Sequence, residues 1–292
     1  MKKGLVFATL AIVFHVLGIA TGYATEQYRT EVSAFYSRAD GSQDSRTILY
    51  GVSGEIFFAP VNTEEHPYAE AAFLERIGSV FLTGAKEEIK VGWAKGDGFW
   101  GSFGVNLSRP DFPLVAQFMF TRSRFDADDN SFSNKGDFYD FRVGSYFTKV
   151  LLAGLEYNYG SSEVSFAIFP SITVRTRDYG FFAKYVYELS DYKELNLEVI
   201  VGKSTDGNAE ISRNTNESLS VDYFFNKSLS AGVGFRNSSG TDESIEGKTY
   251  SGNMRYFINP HFSVQAIYER FRNSNADQEN EHTYELILAG RF

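Results

Sequence analysis

Arg29, Glu31, Glu55, Asp140, Arg142, Lys184, Glu198, Asp222, Arg236, Arg255, Glu269 and Glu285 stand among apolar or aromatic neighbours, in step with other polar residues two positions away. Residues two apart in a strand share a face, so these twelve side chains belong to one polar wall whose other side is apolar. The chemistry open to such a wall is electrostatic: fixed charges of both signs facing water sort ions and polar solutes without making or breaking bonds. A charge facing hydrocarbon at mid-bilayer would cost roughly 2–4 kcal/mol. If the apolar side meets lipid, the charged side must therefore meet an aqueous space. The same charges paired across strands would instead fill the interior with salt bridges and leave a closed lumen.

Bond-making chemistry has few candidates. Beyond residue 24 the histidines are His66, His261 and His282. The first two fall in turns at one end of the pattern and the third at the other, so no Ser–His or Asp–His pair meets at one rim to supply a base beside a nucleophile. Asp126, Asp128 and Asp129 crowd one connection, but without the spacing of an EF-hand they read as a solvated loop. The chain has no cysteine, which excludes disulfides and thiolate metal sites. Neither a phosphate-binding loop nor a basic nucleic-acid face is present. The expectation is a non-enzyme with no catalytic, metal or cofactor site.

The elements that position the charged wall are strands. Leu195, Leu197, Val199 and Val201 alternate with Asn196 and Glu198; Leu219, Val221, Tyr223 and Phe225 alternate with Ser218, Ser220 and Asp222. The same two-residue period runs through Tyr28–Tyr36, Ile48–Phe58, Leu229–Phe235, Tyr250–Ile258 and Phe262–Tyr268. The Tyr28–Tyr36 series places Tyr28 on the apolar face and Arg29 on the polar one. Composition fits, with 28 Phe, 18 Tyr and 26 Gly against 6 Pro, the last being excluded from sheet interiors. Charged or polar residues interrupt every apolar stretch beyond the N-terminus, so no segment reads as a membrane-spanning helix.

At the N-terminus Lys2 and Lys3 precede an apolar run from Gly4 to Ile19, followed by the small residues Gly22 and Ala24. This reads as a secretory signal peptide over 1–24. It leaves 25–292 as one transmembrane β-barrel, 268 of the 292 residues, acidic in balance. Tyr284, Leu286, Leu288 and Phe292 share one face of the last strand. That pattern resembles the closing strand of bacterial outer-membrane barrels, where a terminal aromatic at this spacing is read by the barrel assembly machinery.

Connection lengths orient the strands. Arg109–Pro113, Thr148–Lys149, Ser190–Lys193, Asn226–Ser228 and Asn259–His261 are tight, whereas Asp126–Gly136, Thr205–Thr215, Ser238–Gly247 and Asn273–Glu281 are long and polar. Short turns lie in the periplasm and long loops outside the cell. This predicts an all-β, antiparallel up-and-down barrel of about 14 strands, provided that Ile77–Lys95 and Val150–Ala167 are each one strand; 12 or 16 strands follow if either is a hairpin. The apolar phase slips between Leu82 and Ile89, which a β-bulge would explain. An eight-stranded barrel fills its interior with side chains and one of 16 to 18 leaves a channel, so 14 strands predict a modest pore.

One connection breaks the rule. Pro60–Arg76, PVNTEEHPYAEAAFLER, falls where a short periplasmic turn is expected. Here the chain resembles the general porins of Gram-negative bacteria, an outer-membrane β-barrel porin family whose first periplasmic connection is similar to the AEAAFL segment; Tyr179–Tyr187 and Tyr146–Tyr157 resemble strands of that family too. The resemblance implies an outer-membrane location and passive diffusion of small hydrophilic solutes or ions, with lipid, the assembly machinery and those solutes as partners, as a monomer or a homo-trimer. The alternative is a structural or adhesion barrel with a closed lumen and partner-binding extracellular loops.

Overall fold

The computed structural model describes residues 27–41, 45–92, 94–129, 131–166, 170–190, 192–206, 213–239, 246–273 and 280–292. The signal segment at 1–24 and most of the long connections at 207–212, 240–245 and 274–279 lie outside the described residues. The strands are β1 (Gln27–Asp40), β2 (Arg46–Asn62), β3 (Ser79–Val91), β4 (Ala94–Arg109), β5 (Phe112–Ala127), β6 (Phe132–Tyr146), β7 (Leu151–Phe166), β8 (Ile172–Ser190), β9 (Lys193–Asp206), β10 (Arg213–Phe224), β11 (Leu229–Ser239), β12 (Gly247–Asn259), β13 (Phe262–Asn273) and β14 (Glu281–Arg291). A single helical turn, α1 (Ala71–Leu74), sits in the β2–β3 connection. All neighbouring strands pair antiparallel, and β1 pairs with both β2 and β14, so the sheet closes into a 14-stranded barrel. Closure satisfies every backbone donor and acceptor inside lipid, which an open edge could not do.

Cross-strand rows identify the faces. Ile287, Phe35, Gly51, Ala85, Trp100 and Ser123 stand opposite one another in successive strands. They point inward with Glu31, which shares the face of Phe35 on β1. The other face carries Leu82, Phe99, Leu107, Leu155, Val233 and Ile258, each more than half exposed. On a water-soluble protein such a surface would aggregate; on a barrel it is the lipid-facing belt. The alternation read in β9 to β14 holds residue for residue, with Val199, Val201, Leu219, Phe225, Met254, Tyr256, Tyr268, Tyr284 and Leu286 all exposed.

Three expectations are corrected. Ile77–Lys95 is not one strand: β3 ends at Val91, Gly92 turns the chain at φ +57°, and Ala94 already pairs back with Val91. No bulge divides Leu82 from Ile89, since the registers of β3 with β2 and β4 run unbroken. The apolar phase slips because Phe81 and Ala85 point into the barrel while Leu82 points out, so this strand carries apolar residues on both faces. At the start of β1 the register shifts between Tyr28 and Thr30, which turns Tyr28 inward against Phe57. Arg29 is thereby displaced from the polar wall; it is exposed and donates to the carbonyls of Phe57 and Phe58 at 3.2 and 3.3 Å. The expected single strand over Val150–Ala167 is β7, Leu151–Phe166, with residue 167 outside the described residues.

The last residue stitches the barrel shut. Phe292 N donates to Thr30 O at 2.8 Å, and its own carbonyl accepts from the amides of Arg29 and Thr30 at 2.7 and 2.9 Å. Deleting Phe292 removes all three bonds from the closing seam. We expect less of the folded, heat-modifiable form in outer-membrane fractions, read by electrophoresis of unheated samples; an unchanged folded fraction at native expression would contradict this.

Candidate functional site

The long connection does not hang below the barrel. It folds into the periplasmic mouth and touches the wall round most of its circumference. On its own side, Ala71 and Ile77 pack with Tyr28, Phe57 and Val61 in a fully buried cluster. Opposite, Glu70 of the segment accepts from Lys184 Nζ of β8 at 2.6 Å and from Asn196 Nδ2 of β9 at 3.2 Å. Tyr68 N donates to Lys227 O in the β10–β11 turn at 3.0 Å, and the Tyr68 ring packs edge-on against Phe257 of β12. Arg76 donates to Thr148 O in the β6–β7 turn at 3.0 Å and lies over the Tyr146 ring. Phe73 stacks near Tyr146, accepts from its hydroxyl at 3.2 Å, and takes Lys184 Nζ over its ring at 4.3 Å. Residues 63–78 thus form a plug.

Local chemistry explains the inward course. Pro67 and the α1 turn shorten the segment, and a φ of +54° at Arg76 bends it back toward β3. Gly78 then passes so close to β4 that a Cβ there would meet Asn106 O at 2.5 Å. Ala71, Phe73 and Ile77 supply apolar area that water would otherwise cover. A carboxylate as buried as Glu70, 8% exposed, is tolerated because both oxygens have partners; half-paired, it would oppose the burial.

One residue of the wall secures the plug. Arg291, 3% exposed, donates through Nε to Glu31 at 2.6 Å and through Nη1 to Tyr68 O at 2.6 Å. Its guanidinium lies over both Tyr28 and Phe257. Arg255 joins the group 3.7 Å from Glu31. Planar, donor-rich and weakly hydrated, an arginine can bond two acceptors and stack on rings at once, which a lysine cannot.

Above the plug lies a charged vestibule of about 350 Å³. Glu31, Glu55, Glu70 and Glu198 line it against Arg142, Lys184, Arg255 and Arg291, so its charges balance. Glu55 accepts from Ser79 Oγ at 2.6 Å, and Arg142 pairs with Glu156 at 3.1 Å. Farther toward the extracellular side Glu198, Arg236 and Glu269 line a recess of about 210 Å³. Asp222 accepts from Asn253 at 2.9 Å. Asp140 stands across from Asn158 and Glu285 across from Ser37, both on the inward face. Of the twelve residues that the spacing predicts for the wall, the vestibule and recess bring together Glu31, Glu55, Arg142, Lys184, Glu198, Arg236, Arg255 and Glu269; Arg29 lies apart.

The long connections at the extracellular end are acidic in sequence; of their carboxylates Asp126, Asp128, Asp129, Glu246 and Glu281 are among the described residues, beside strand-end bases such as Lys90, Arg124 and Arg272, while Asp242, Glu243, Asp277 and Glu279 lie outside them. Ser131 donates to Asp129 through its hydroxyl and its amide, and these bonds hold that carboxyl below the usual carboxylate range. No group of three or more His, Asp or Glu that could hold a metal ion occurs among the described residues.

Glu70, Tyr68, Phe73 and Arg76 were not legible as site residues, since alternation says nothing of where a connection folds. A glutamate among the small and apolar residues of AEAAFL was the available signal.

Comparison with known proteins agrees with this architecture. The family described as "Putative general bacterial porin" matches residues 1–292. No curated protein matches the chain. The crystal structure of the outer membrane protein Omp33 of Acinetobacter baumannii is similar at 19% identity, over 91% of this chain and 99% of that one, with a TM-score of 0.59. The Pseudomonas putida toluene transporter TodX superposes at 6% identity over 94% and 90% of the two chains, with a TM-score of 0.50. At these identities both show the barrel fold alone.

Proposed function

Because the chain belongs to the family of general bacterial porins, an outer-membrane β-barrel family, we propose that its lumen carries small hydrophilic solutes or ions by passive diffusion and that the plug at 63–78 sets passage at the periplasmic end. The observation that supports this most is the pairing of a charged vestibule with a floor that is a connection, not a strand. A strand cannot leave the wall without breaking the ladder, whereas a connection can shift by exchanging a few side-chain contacts. Liposome swelling with neutral sugars of rising size tests the reading. Rates above those of protein-free vesicles, falling with solute size, are expected. Rates equal to the protein-free control would favour the structural or adhesion barrel.

The charges give the direction of ion preference. Wall arginines would favour anions if unpaired, but Arg142 and Arg255 are partnered by Glu156 and Glu31, and Arg236 shares its recess with two carboxylates. A balanced wall under long loops of acidic sequence concentrates cations over about a Debye length, roughly 10 Å at 0.1 M salt. Reversal potentials in a salt gradient should show weak cation preference that fades as salt rises; anion preference lost on neutralising Arg142, Arg236 and Arg255 would place selectivity in the wall instead.

A further inference from the structure

Far from the plug, toward the extracellular end of β3 to β6, the inner wall changes character. A cavity of about 520 Å³ opens there, lined on the inward face by Glu87, Ile89, Trp100, Phe125, Phe132 and Asn134; Lys95 and Arg124 also border it but fall in the outward register, where Arg124 pairs with Asp126 at 2.7 Å. The inward rows place these together: Trp100 opposite Ser123, Phe125 opposite Gly98 and Asn134. Phe132 continues an aromatic series, 5.8 Å from Phe125 and 5.7 Å from Phe166 between ring centroids, and Trp100 stacks on Phe35 at 6.2 Å. Glycines keep the space open. A Cβ at Gly96 would meet the Phe125 ring at 2.4 Å, and one at Gly98 would come within 3.1 Å of Glu87 Oε2.

This is an odd wall for a water-filled lumen. This patch is aromatic and carries a carboxylate, Glu87, that forms no ion pair within 4 Å among the described residues. Neighbouring Lys86 and Glu88 point to the other face, where Lys86 pairs with Asp97 at 3.0 Å. A cavity of this size, mainly apolar and with Glu87 as the charged group of its inward register, has the form of a small-molecule site. Its charge selects a cation, and ring faces attract cations as well. Its flat walls select an aromatic or similarly apolar body.

The geometry points to a solute-binding subsite at the outer entrance for a small organic ammonium compound with an aromatic body, held by Glu87 and stacked among Trp100, Phe125 and Phe132. The assignment rests on the porin reading for its purpose, since a site here is the first that an inbound solute meets below the long loops of acidic sequence. Its occupancy does not depend on passage through the plug, so binding and conduction can fail separately.

Phenethylamine, protonated at neutral pH, is the probe. The chain has two tryptophans, and a Trp93→Phe variant leaves Trp100 as the sole reporter inside the cavity. Titrating detergent-solubilised protein should change Trp100 emission saturably. Glu87→Gln, which keeps the shape, should weaken binding at least about tenfold, the scale of one charged hydrogen bond. Phe125→Leu, which keeps the charge, should weaken it as well, and 3-phenylpropionate should bind at least about tenfold less tightly than phenethylamine. Absence of a saturable change, equal affinity after Glu87→Gln in protein that remains heat-modifiable, or equal binding of the anion would overturn the assignment.

Discussion

Vesicles carrying a barrel in which residues 64–75 are replaced by a four-residue Gly-Ser turn should swell several-fold faster in small sugars than vesicles carrying the intact chain. The replaced residues hold Glu70, Tyr68 and Phe73, which reach β8, β9, β12, the β10–β11 turn and β14. The barrel wall keeps all its strand pairs, because the shortened turn still joins Asn62 to Ser79. A 14-stranded barrel freed of its plug should leave a pore between the filled eight-stranded and the open 16-stranded cases. Larger sugars should gain most, since they are the ones a narrow mouth rejects. Equal swelling rates for the two proteins would show that residues 63–78 do not limit passage.

Arg291→Ala should be the most damaging single substitution in the mouth. It leaves the half-buried Glu31 with Arg255 alone, 3.7 Å away, and strips the Tyr68 carbonyl of its donor. Removing one partner of a buried ion pair costs about 3–5 kcal/mol, mostly because the remaining charge has lost its compensation. The loss should appear as a lower denaturation midpoint of the folded form in detergent. Replacing both partners by neutral residues of similar shape, Glu31→Gln with Arg291→Met, should recover part of it. No recovery in the double variant would mean that stacking on Tyr28 and Phe257, not charge, is what Arg291 provides.

The wall of this barrel was legible because a period of two is written residue by residue. Each of β9 to β14 shows it, and the short turns between them, such as Asn226–Ser228, are marked by polar residues whose side chains cap the turn: Asn226 Oδ1 accepts from the amides of Ser228 and Leu229. Phase was lost where the local pattern was not the only constraint. In β3 both faces are apolar, since Phe81 and Ala85 join an inner aromatic wall while Leu82 meets lipid, so no bulge was needed. At Tyr28 the bulge is dictated by the plug, because the inward Tyr28 ring is the surface on which Arg291 stacks and beside which Ala71 packs. The plug itself was visible only as a connection too long for its place. Its course depends on Glu70 finding Lys184, 114 residues away, and no short-range pattern records that meeting.

Single-channel recording in planar bilayers tests the central claim most directly, by comparing the intact chain with the variant shortened at 64–75. The account predicts brief openings of the intact protein and a steady conductance of the shortened one at or above the level of those openings, both weakly cation-selective. A lumen silent in both proteins, or an intact chain conducting steadily at the level of the shortened one, would contradict it.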